Sequence, residues 1–237
     1  MKLRAVLFDA YGTLFDVHSV VLRAEQLFPG QGERLSLLWR DKQIEYTRLV
    51  SMSGPEHYQP FWTLTAAALR FAAARLGLAL DDAAEQQLLN EYRHLSAFAE
   101  NHGVLAELRV RGVVTGILSN GDPDMLAVAV KSAGFGELLQ HVISVHPARR
   151  FKTDPAAYAL GPAALGLPAS QILFVSSNAW DALGATWFGH PTLWVNRTGA
   201  PPEALGPAPT FVGKTLRDVL AHFPVPSTSS SRTVPAP

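Results

Sequence analysis

Polar and charged side chains stand where several apolar runs of this chain end, and their types could support nucleophilic chemistry. Asp9 directly follows the apolar run Ala5–Phe8. Comparable groups come after later runs, at Ser119 and Asn120, at Lys152, and at Ser176, Asn178 and Asp181. A carboxylate beside a buried ammonium such as that of Lys152 keeps its negative charge. A charged and partly desolvated carboxylate is a plausible nucleophile.

These side chains can meet only if the fold brings the ends of the apolar runs to one edge. Asp9 by itself is ambiguous, because an aspartate at this point caps a turn about as often as it does chemistry. After residue 101, short apolar runs alternate with helical patterns, which is typical of an α/β protein with a doubly wound parallel sheet. Ligands bind such sheets beyond the carboxyl ends of the strands. The sequence therefore predicts one site at that edge.

A block of helical periodicity without any strand separates the first strand from the rest of the predicted sheet. Four helices are expected over residues 18–95, with breaks at Pro29-Gly30, at Ser53-Gly54-Pro55 and at Gly77, and an N-cap signal at Asp81-Asp82. We interpret residues 16–97 as a helical cap subdomain inserted into a core of residues 1–15 and 98–223. The Pro- and Ser-rich residues 224–237 are predicted to form a disordered tail.

Composition restricts the class of protein. The chain has 237 residues, no cysteine, and 20 basic (Lys+Arg) against 20 acidic (Asp+Glu) residues. The chain has no excess of basic residues that would indicate a nucleic acid or an anionic membrane as partner, and no apolar run approaches the roughly 18 residues of a membrane span. Without cysteine there are no disulfides or thiolate metal sites. Because the first strand leaves no room for a signal peptide, we expect a soluble, cytoplasmic protein.

Five segments, in a fixed order and spacing, carry a resemblance to a known family. They are FDAYGTLFD at 8–16, Trp39-Arg40, LSNG at 118–121, FKTDP at 151–155 with Tyr158, and VSSNAWD at 175–181. Any one of them alone is a weak signal, but the set spans the chain from the first strand to about residue 195. The sequence resembles the haloacid dehalogenase superfamily and, within it, the type II L-2-haloacid dehalogenases.

The resemblance implies a Rossmann-like core, no metal ion, no cofactor and a homodimer. It implies that Asp9 attacks C2 of an L-2-haloalkanoic acid, releases halide with inversion, and carries an ester that water hydrolyses to a D-2-hydroxy acid. The substrate and the halide would be its small-molecule partners. Lys152 and Ser176 match positions that hold the nucleophile, and Asn178 and Asp181 match positions around the hydrolytic water. Thr13 and Tyr158 match further polar positions of the site.

The resemblance also assigns the binding of substrate. Ser119 and backbone amides near Tyr11 and Asn120 would receive the substrate carboxylate. Arg40, from the helical block, would meet the departing halide beside Asn120. The aromatic rings of Phe61 and Trp180 would form apolar walls.

Other interpretations stay open. A phosphatase of this fold carries a second aspartate where this chain has Tyr11, and acidic metal ligands where it has Ser176-Ser177-Asn178. A binding protein that kept the fold is a third possibility. Among single residues, Arg40 could be solvated, and Tyr158, Phe61 and Trp180 could be core packing. Several positions depart from the family pattern, among them residues 146–150 and Thr153. Asp41 could hold the Arg40 guanidinium, and Asp122 adds charge near the carboxylate-binding loop at 119–121 or caps the next helix.

Overall fold

The computed structural model of the protein describes residues 2–224, and it contains a six-stranded parallel sheet. The strands are β1 (Ala5–Phe8), β2 (Val114–Ser119), β3 (His141–Ser144), β4 (Ile172–Ser176), β5 (Thr192–Val195) and β6 (Phe211–Gly213). Their order in the sheet is β3-β2-β1-β4-β5-β6, and every neighbouring pair is parallel. The central strands β1 and β4 are fully buried, as their continuous apolar sequences require. The predicted doubly wound α/β fold is confirmed.

Eight α-helices cover this sheet and its carboxyl edge. They are α1 (Val21–Leu27), α2 (Gly32–Ser53), α3 (Phe61–Arg75), α4 (Asp82–Arg93), α5 (Asn101–Val110), α6 (Pro123–Ser132), α7 (Pro155–Leu165) and α8 (Ala179–Phe188). Asp81 caps α4 through a hydrogen bond from the Ala84 N–H at 2.8 Å, as its sequence position predicts. Among the described residues, no helix combines the length and the hydropathy needed to cross a bilayer.

Helices α1 to α4 follow one another between β1 and α5 without contributing a strand to the sheet, and we call them the helical insert. The chain leaves the sheet and returns to it side by side. Phe15 and Ala97 form an antiparallel bridge, and the Asp16 N–H donates to the Ser96 carbonyl at 2.8 Å. These paired segments fall at the ends of the predicted 16–97 unit, whose status as a separate subdomain remains a prediction.

Three features of the chain order differ from what the sequence indicates. Strand β6 and the 3₁₀ turn Leu216–His222 were not anticipated, because a three-residue edge strand after a Pro- and Gly-rich stretch has almost no periodic signal. Lys152 does not come directly after a strand, since the 3₁₀ turn His146–Ala148 separates it from β3. Apart from Pro224, the predicted tail lies outside the described residues.

Candidate active site

The loop after β1 holds the Asp9 carboxylate at the carboxyl edge of the sheet. The Asp9 N–H continues the sheet ladder by donating to the Val175 carbonyl at 2.9 Å. The loop then turns sharply at Gly12, where φ is +96°, a conformation that side chains other than glycine rarely adopt. A Cβ at Gly12 would also lie 3.4 Å from the Asn178 amide. The turn therefore needs glycine for its backbone conformation, whereas a Cβ would make only an ordinary contact with Asn178.

Three donors surround the Asp9 carboxylate, which is only 6% exposed. Lys152 Nζ lies 3.0 Å from Oδ1, and Asn178 Nδ2 lies 2.8 Å from Oδ2. Thr13 Oγ1 also contacts Oδ2, at 3.1 Å. Because Thr13 Oγ1 already accepts a hydrogen bond from the Ser177 N–H at 2.8 Å, its own proton is free to point to Asp9. The carboxylate is thus fixed in orientation by three donors.

Lys152 joins Asp9 to a second buried carboxylate. Its Nζ is 3.0 Å from Asp9 Oδ1 and 3.0 Å from Asp181 Oδ2, and its side chain is fully buried. The other oxygen of Asp181 accepts a hydrogen bond from the Tyr158 hydroxyl at 2.7 Å. The sequence-predicted residues Asp9, Lys152, Asp181 and Tyr158 therefore form one continuous chain of contacts.

The environment shifts the pKa of two members of this chain. Burial raises the pKa of the Asp181 carboxyl to about 6; the Lys152 ammonium opposes this rise and the Asp9 carboxylate adds to it. Burial, followed by the charge of Asp181, raises the pKa of the Tyr158 phenol well above its ordinary value. Tyr158 therefore stays protonated and donates to Asp181, which can exchange a proton near neutral pH.

Arg40 reaches the site from α2 in the helical insert. One guanidinium nitrogen donates to the Tyr11 carbonyl at 3.0 Å and lies 3.4 Å from Asn178 Oδ1. The other donates to Gln43 Oε1 at 2.7 Å. Asp41 is exposed on the same helix, so Gln43 rather than Asp41 orients the guanidinium. Asn178 therefore links the two groups, because it contacts both the Arg40 guanidinium and the Asp9 carboxylate.

Sequence reasoning missed the polar residues that support Arg40. Gln43 is fully buried in the insert, where its oxygen also accepts a hydrogen bond from the Tyr92 hydroxyl at 3.1 Å. Its amide nitrogen donates to Thr65 Oγ1 at 2.7 Å. Tyr92 in turn stacks on Tyr11, with ring centroids 5.8 Å apart. The available signal was a glutamine three residues after Arg40 on one helix face.

Ser119 and Ser176 end strands β2 and β4, and both hydroxyls serve the turns that follow. The Gly121 N–H donates to Ser119 Oγ at 3.1 Å, and the Asn178 N–H donates to Ser176 Oγ at 3.1 Å. Neither serine makes a hydrogen bond to Asp9 among the described contacts, and the role of Ser176 in holding the nucleophile stays a prediction. Ser176 positions Asn178, which does contact Asp9.

Asn120 and the two aromatic residues predicted to form apolar walls, Phe61 and Trp180, lie in different surroundings. Asn120 Oδ1 accepts a hydrogen bond from the Lys152 N–H at 2.9 Å, so it orders the loop that carries Lys152. Phe61, 1% exposed, packs on Tyr11 with ring centroids 5.6 Å apart. Trp180 is half-buried in the first turn of α8, and the Arg48 guanidinium lies 5.4 Å from its ring. Phe61 therefore packs against the loop that follows β1, whereas Trp180 lies where the insert meets the core.

The donor set around Asp9 differs from a magnesium site. Within residues 2–224, no three side chains of the His, Cys, Asp and Glu types are grouped as metal ligands. The space between the two site carboxylates is filled by Lys152 Nζ. Burial raises the pKa of the Tyr11 phenol, which lies two positions after Asp9, well above its ordinary value. A buried phenol of this kind is a poor proton donor for a leaving group.

Comparisons with known proteins agree with this geometry. A family profile described as haloacid dehalogenase-like hydrolase matches residues 3–189. The (S)-2-haloacid dehalogenase of Pseudomonas sp. strain YL is 46% identical over 221 residues, covering 93% of this chain and 94% of that protein. The crystal structure of the L-2-haloacid dehalogenase RSc1362 is 61% identical with a TM-score of 0.92, covering 93% of this chain and 98% of that chain.

A further solved structure bears on the covalent chemistry of the family. The L-2-haloacid dehalogenase from Xanthobacter autotrophicus, with chloropropionic acid covalently bound, is 37% identical with a TM-score of 0.85. The alignment covers 92% of this chain and 96% of that chain. Similarity at this level includes the helical insert as well as the sheet. The chain therefore belongs to the haloacid dehalogenase-like hydrolases and, within them, to the (S)-2-haloacid dehalogenases.

Proposed function

We propose that this chain hydrolyses L-2-haloalkanoic acids to D-2-hydroxy acids and halide through an ester on Asp9. The observation that carries the proposal is the pairing of the Asp9 carboxylate with Lys152 Nζ at 3.0 Å in a buried site that Arg40 also enters. A buried carboxylate fixed by Lys152, Asn178 and Thr13 is oriented for attack on carbon.

In the first step, one Asp9 oxygen attacks C2 and forms a C–O bond while the carbon–halogen bond breaks. The bonding electrons leave with the halide, and attack from the opposite face inverts C2. Negative charge moves from Asp9 to the halogen, so a cation near the leaving group stabilises the transition state more than the ground state. Arg40, with Asn120 beside it, takes this role.

In the second step, water attacks the ester carbonyl carbon of Asp9. The carbonyl carbon–alkoxide bond breaks, which returns the Asp9 carboxylate with one oxygen from water and frees the D-2-hydroxy acid. The Asp181 carboxylate accepts one proton from the attacking water, because its pKa of about 6 leaves it ionised yet basic near neutral pH. Asp181 then passes this proton to the departing alkoxide oxygen, which becomes the hydroxyl of the product, and the second water proton leaves the regenerated Asp9 carboxyl for solvent. Lys152, Tyr158, Ser176 and Asn178 hold the groups of this step in place.

The substrate carboxylate sits against Ser119 and the backbone amides near Tyr11 and Asn120. Phe61 and Trp180 bound its apolar side. The helical insert is a cap subdomain in this proposal, since it supplies Arg40 and Phe61 to a nucleophile held by the sheet. A structure in which Arg40 lies far from Asp9 in every state would contradict that assignment.

Turnover with and without metal separates this function from a phosphatase of the same fold. We expect purified protein to release chloride from (S)-2-chloropropionate in EDTA, and to leave p-nitrophenyl phosphate intact with added Mg²⁺. Phosphate release that depends on Mg²⁺, without chloride release, would establish the phosphatase instead. Failure in both assays by folded protein would favour a binding protein.

Two further expectations belong to this proposal. The resemblance implies a homodimer, which light scattering on a size-exclusion column tests directly. The cytoplasmic location expected from the sequence is tested by fractionation of cells that express the chain. A monomer in solution, or recovery outside the cytoplasm, would reject the respective expectation.

A further inference from the structure

Asp122 is a buried carboxylate that the proposed reaction does not use. It is 8% exposed and precedes α6, but its side chain does not cap that helix. Its two oxygens instead accept hydrogen bonds from the N–H groups of Phe61 at 3.0 Å and Trp62 at 2.7 Å. The predicted side-chain cap of α6 is therefore not formed, and the Asp122 carboxylate binds the helical insert instead.

The N-terminus of α3 needs an acceptor that its own sequence does not provide. The residue at its N-cap position is Pro60, which has no side-chain acceptor and forms no side-chain cap. The first N–H groups of a helix have no partner within the helix, and the helix dipole favours a negative charge there. Asp122 meets both requirements, but it does so from the sheet side of the molecule. The helix cap is therefore also a link between the insert and the core.

This link lies next to a wall of the site. Phe61 is the first residue of α3, and its ring packs on Tyr11 at 5.6 Å and on Phe151 at 6.0 Å between centroids. On the other side of Asp122, a cavity of about 400 Å³ lined by Pro60, Trp62, Arg93 and His146 separates insert and core. Asp122 thus fastens α3 at a point where side-chain packing across the boundary is interrupted.

A second contact between the insert and the core lies beside the Asp122 carboxylate. The Tyr58 hydroxyl lies 3.1 Å from His146 Nδ1, and that nitrogen lies 3.5 Å from Asp122 Oδ1. Tyr58 precedes α3 in the insert, whereas His146 follows β3 in the core. Both groups are more exposed than Asp122, so they border the link without replacing it.

We propose that Asp122 is a positioning residue that clamps the helical insert to the core and holds Phe61 against the site. The kinetic consequence rests on the proposed function. The clamped arrangement is needed equally in the substrate complex and in the transition state. Loss of the clamp therefore removes uniform binding, which raises KM for the haloacid and leaves kcat nearly unchanged.

The test compares Asp122→Ser with Asp124→Asn, which removes an exposed acidic charge from the first turn of α6. Loss of a helix cap changes the equilibrium constant for local unfolding of the helix N-terminus by about tenfold. We expect the Phe61 and Trp62 amides of Asp122→Ser to exchange with deuterium about tenfold faster, and KM to rise while kcat stays nearly unchanged. Asp124→Asn should change neither. Unchanged exchange and KM in Asp122→Ser would overturn the proposal.

A double variant separates capping of α3 from clamping of the insert. Pro60 has the extended backbone of an N-cap residue, with φ −54° and ψ 146°, so Pro60→Ser supplies a local cap. In Pro60→Ser/Asp122→Ser we expect amide protection of α3 to return while KM stays raised. If KM also returns to the wild-type value, Asp122 is only a helix cap and the clamp is rejected. Should Asp122→Ser fold poorly, Asp122→Asn keeps one acceptor and serves in its place.

A distance measurement makes the clamp independent of dehalogenase activity. The chain has no cysteine, so Met52→Cys in the insert and Val110→Cys in the core give a unique pair of exposed labelling sites. The spin-label distance distribution should broaden with Asp122→Ser, and Pro60→Ser should not narrow it. An equally narrow distribution would overturn the clamp. A clamp found here in a protein that leaves 2-chloropropionate intact would refute the proposed function alone.

Discussion

Replacing Tyr158 with phenylalanine tests whether Asp181 is the ionised base of ester hydrolysis. The Tyr158 hydroxyl donates to Asp181 Oδ1 at 2.7 Å, and both side chains are fully buried. A hydrogen bond to a charged group contributes about 1.5–3 kcal/mol, and one pKa unit corresponds to about 1.4 kcal/mol. Tyr158→Phe should therefore raise the pKa of Asp181 by about 1–2 units from its value of about 6.

The sign of the pH effect follows from the form of Asp181 that acts. A base must be ionised, so ester hydrolysis slows as the pH falls through the pKa of Asp181. Since that pKa is raised further in Tyr158→Phe, the decline begins at a higher pH, near about 7–8. The variant should be slow at neutral pH and should recover toward the wild-type rate at alkaline pH.

Rapid-quench single turnovers across a pH series measure this directly, because they separate halide release from formation of the hydroxy acid. We expect the pH dependence of ester hydrolysis to shift and that of halide release to stay unchanged. Tyr46→Phe is a matched control, since the Tyr46 hydroxyl makes no hydrogen bond among the described residues and its ring lies in the insert. If the acid limb of ester hydrolysis in Tyr158→Phe coincides with that of wild type, or moves to lower pH, the assignment of Asp181 as base is wrong.

Three other predictions concern single residues. Asp9→Asn should nearly abolish halide release while circular dichroism stays unchanged; substantial turnover, with deamidation excluded by mass spectrometry, would reject Asp9 as nucleophile. Arg40→Ala should slow the first turnover about 10²–10³-fold, most for fluoride, and Arg40→Lys should retain more activity because the charge persists; a defect confined to ester hydrolysis would contradict this. Burial lowers the pKa of His190, so stability should fall as the pH drops below about 6.5, and thermal unfolding of His190→Gln should show a smaller fall.

The sequence predicted much of this site because strand ends are local features. Asp9 is the residue after a buried run, and parallel strands must bring their carboxyl ends together. Lys152 was identified through its motif, although it follows a 3₁₀ turn and not the end of a strand. The helical insert was visible as an unbroken helical period, and its junction at Phe15 and Ala97 fell where the pattern changes.

The contacts that the sequence did not predict join residues far apart in the chain. The residue types involved do not by themselves indicate such a contact. Asp122 precedes Pro123 at a helix start, which is an ordinary N-cap pattern, yet its partner is the Phe61 N–H across the molecule. Gln43 looks like one more polar residue of an amphipathic helix, yet it is fully buried. Backbone donors carry no sequence identity, and burial of an amide side chain depends on packing by distant residues. Neither pairing is encoded in a local pattern.

The charge arrangement explains why this site suits a haloacid better than a phosphate ester. Two carboxylates, Asp9 and Asp181, share Lys152, while Arg40 contacts the Tyr11 carbonyl and the Asn178 side chain. Displacement of halide moves one negative charge from Asp9 to the leaving group without changing the total. We propose that Lys152 stabilises the charge at the Asp9 end of that path and Arg40 the charge at the halide end. A phosphoryl group brings more negative charge to the Asp9 end, where the one ammonium is already shared between two carboxylates.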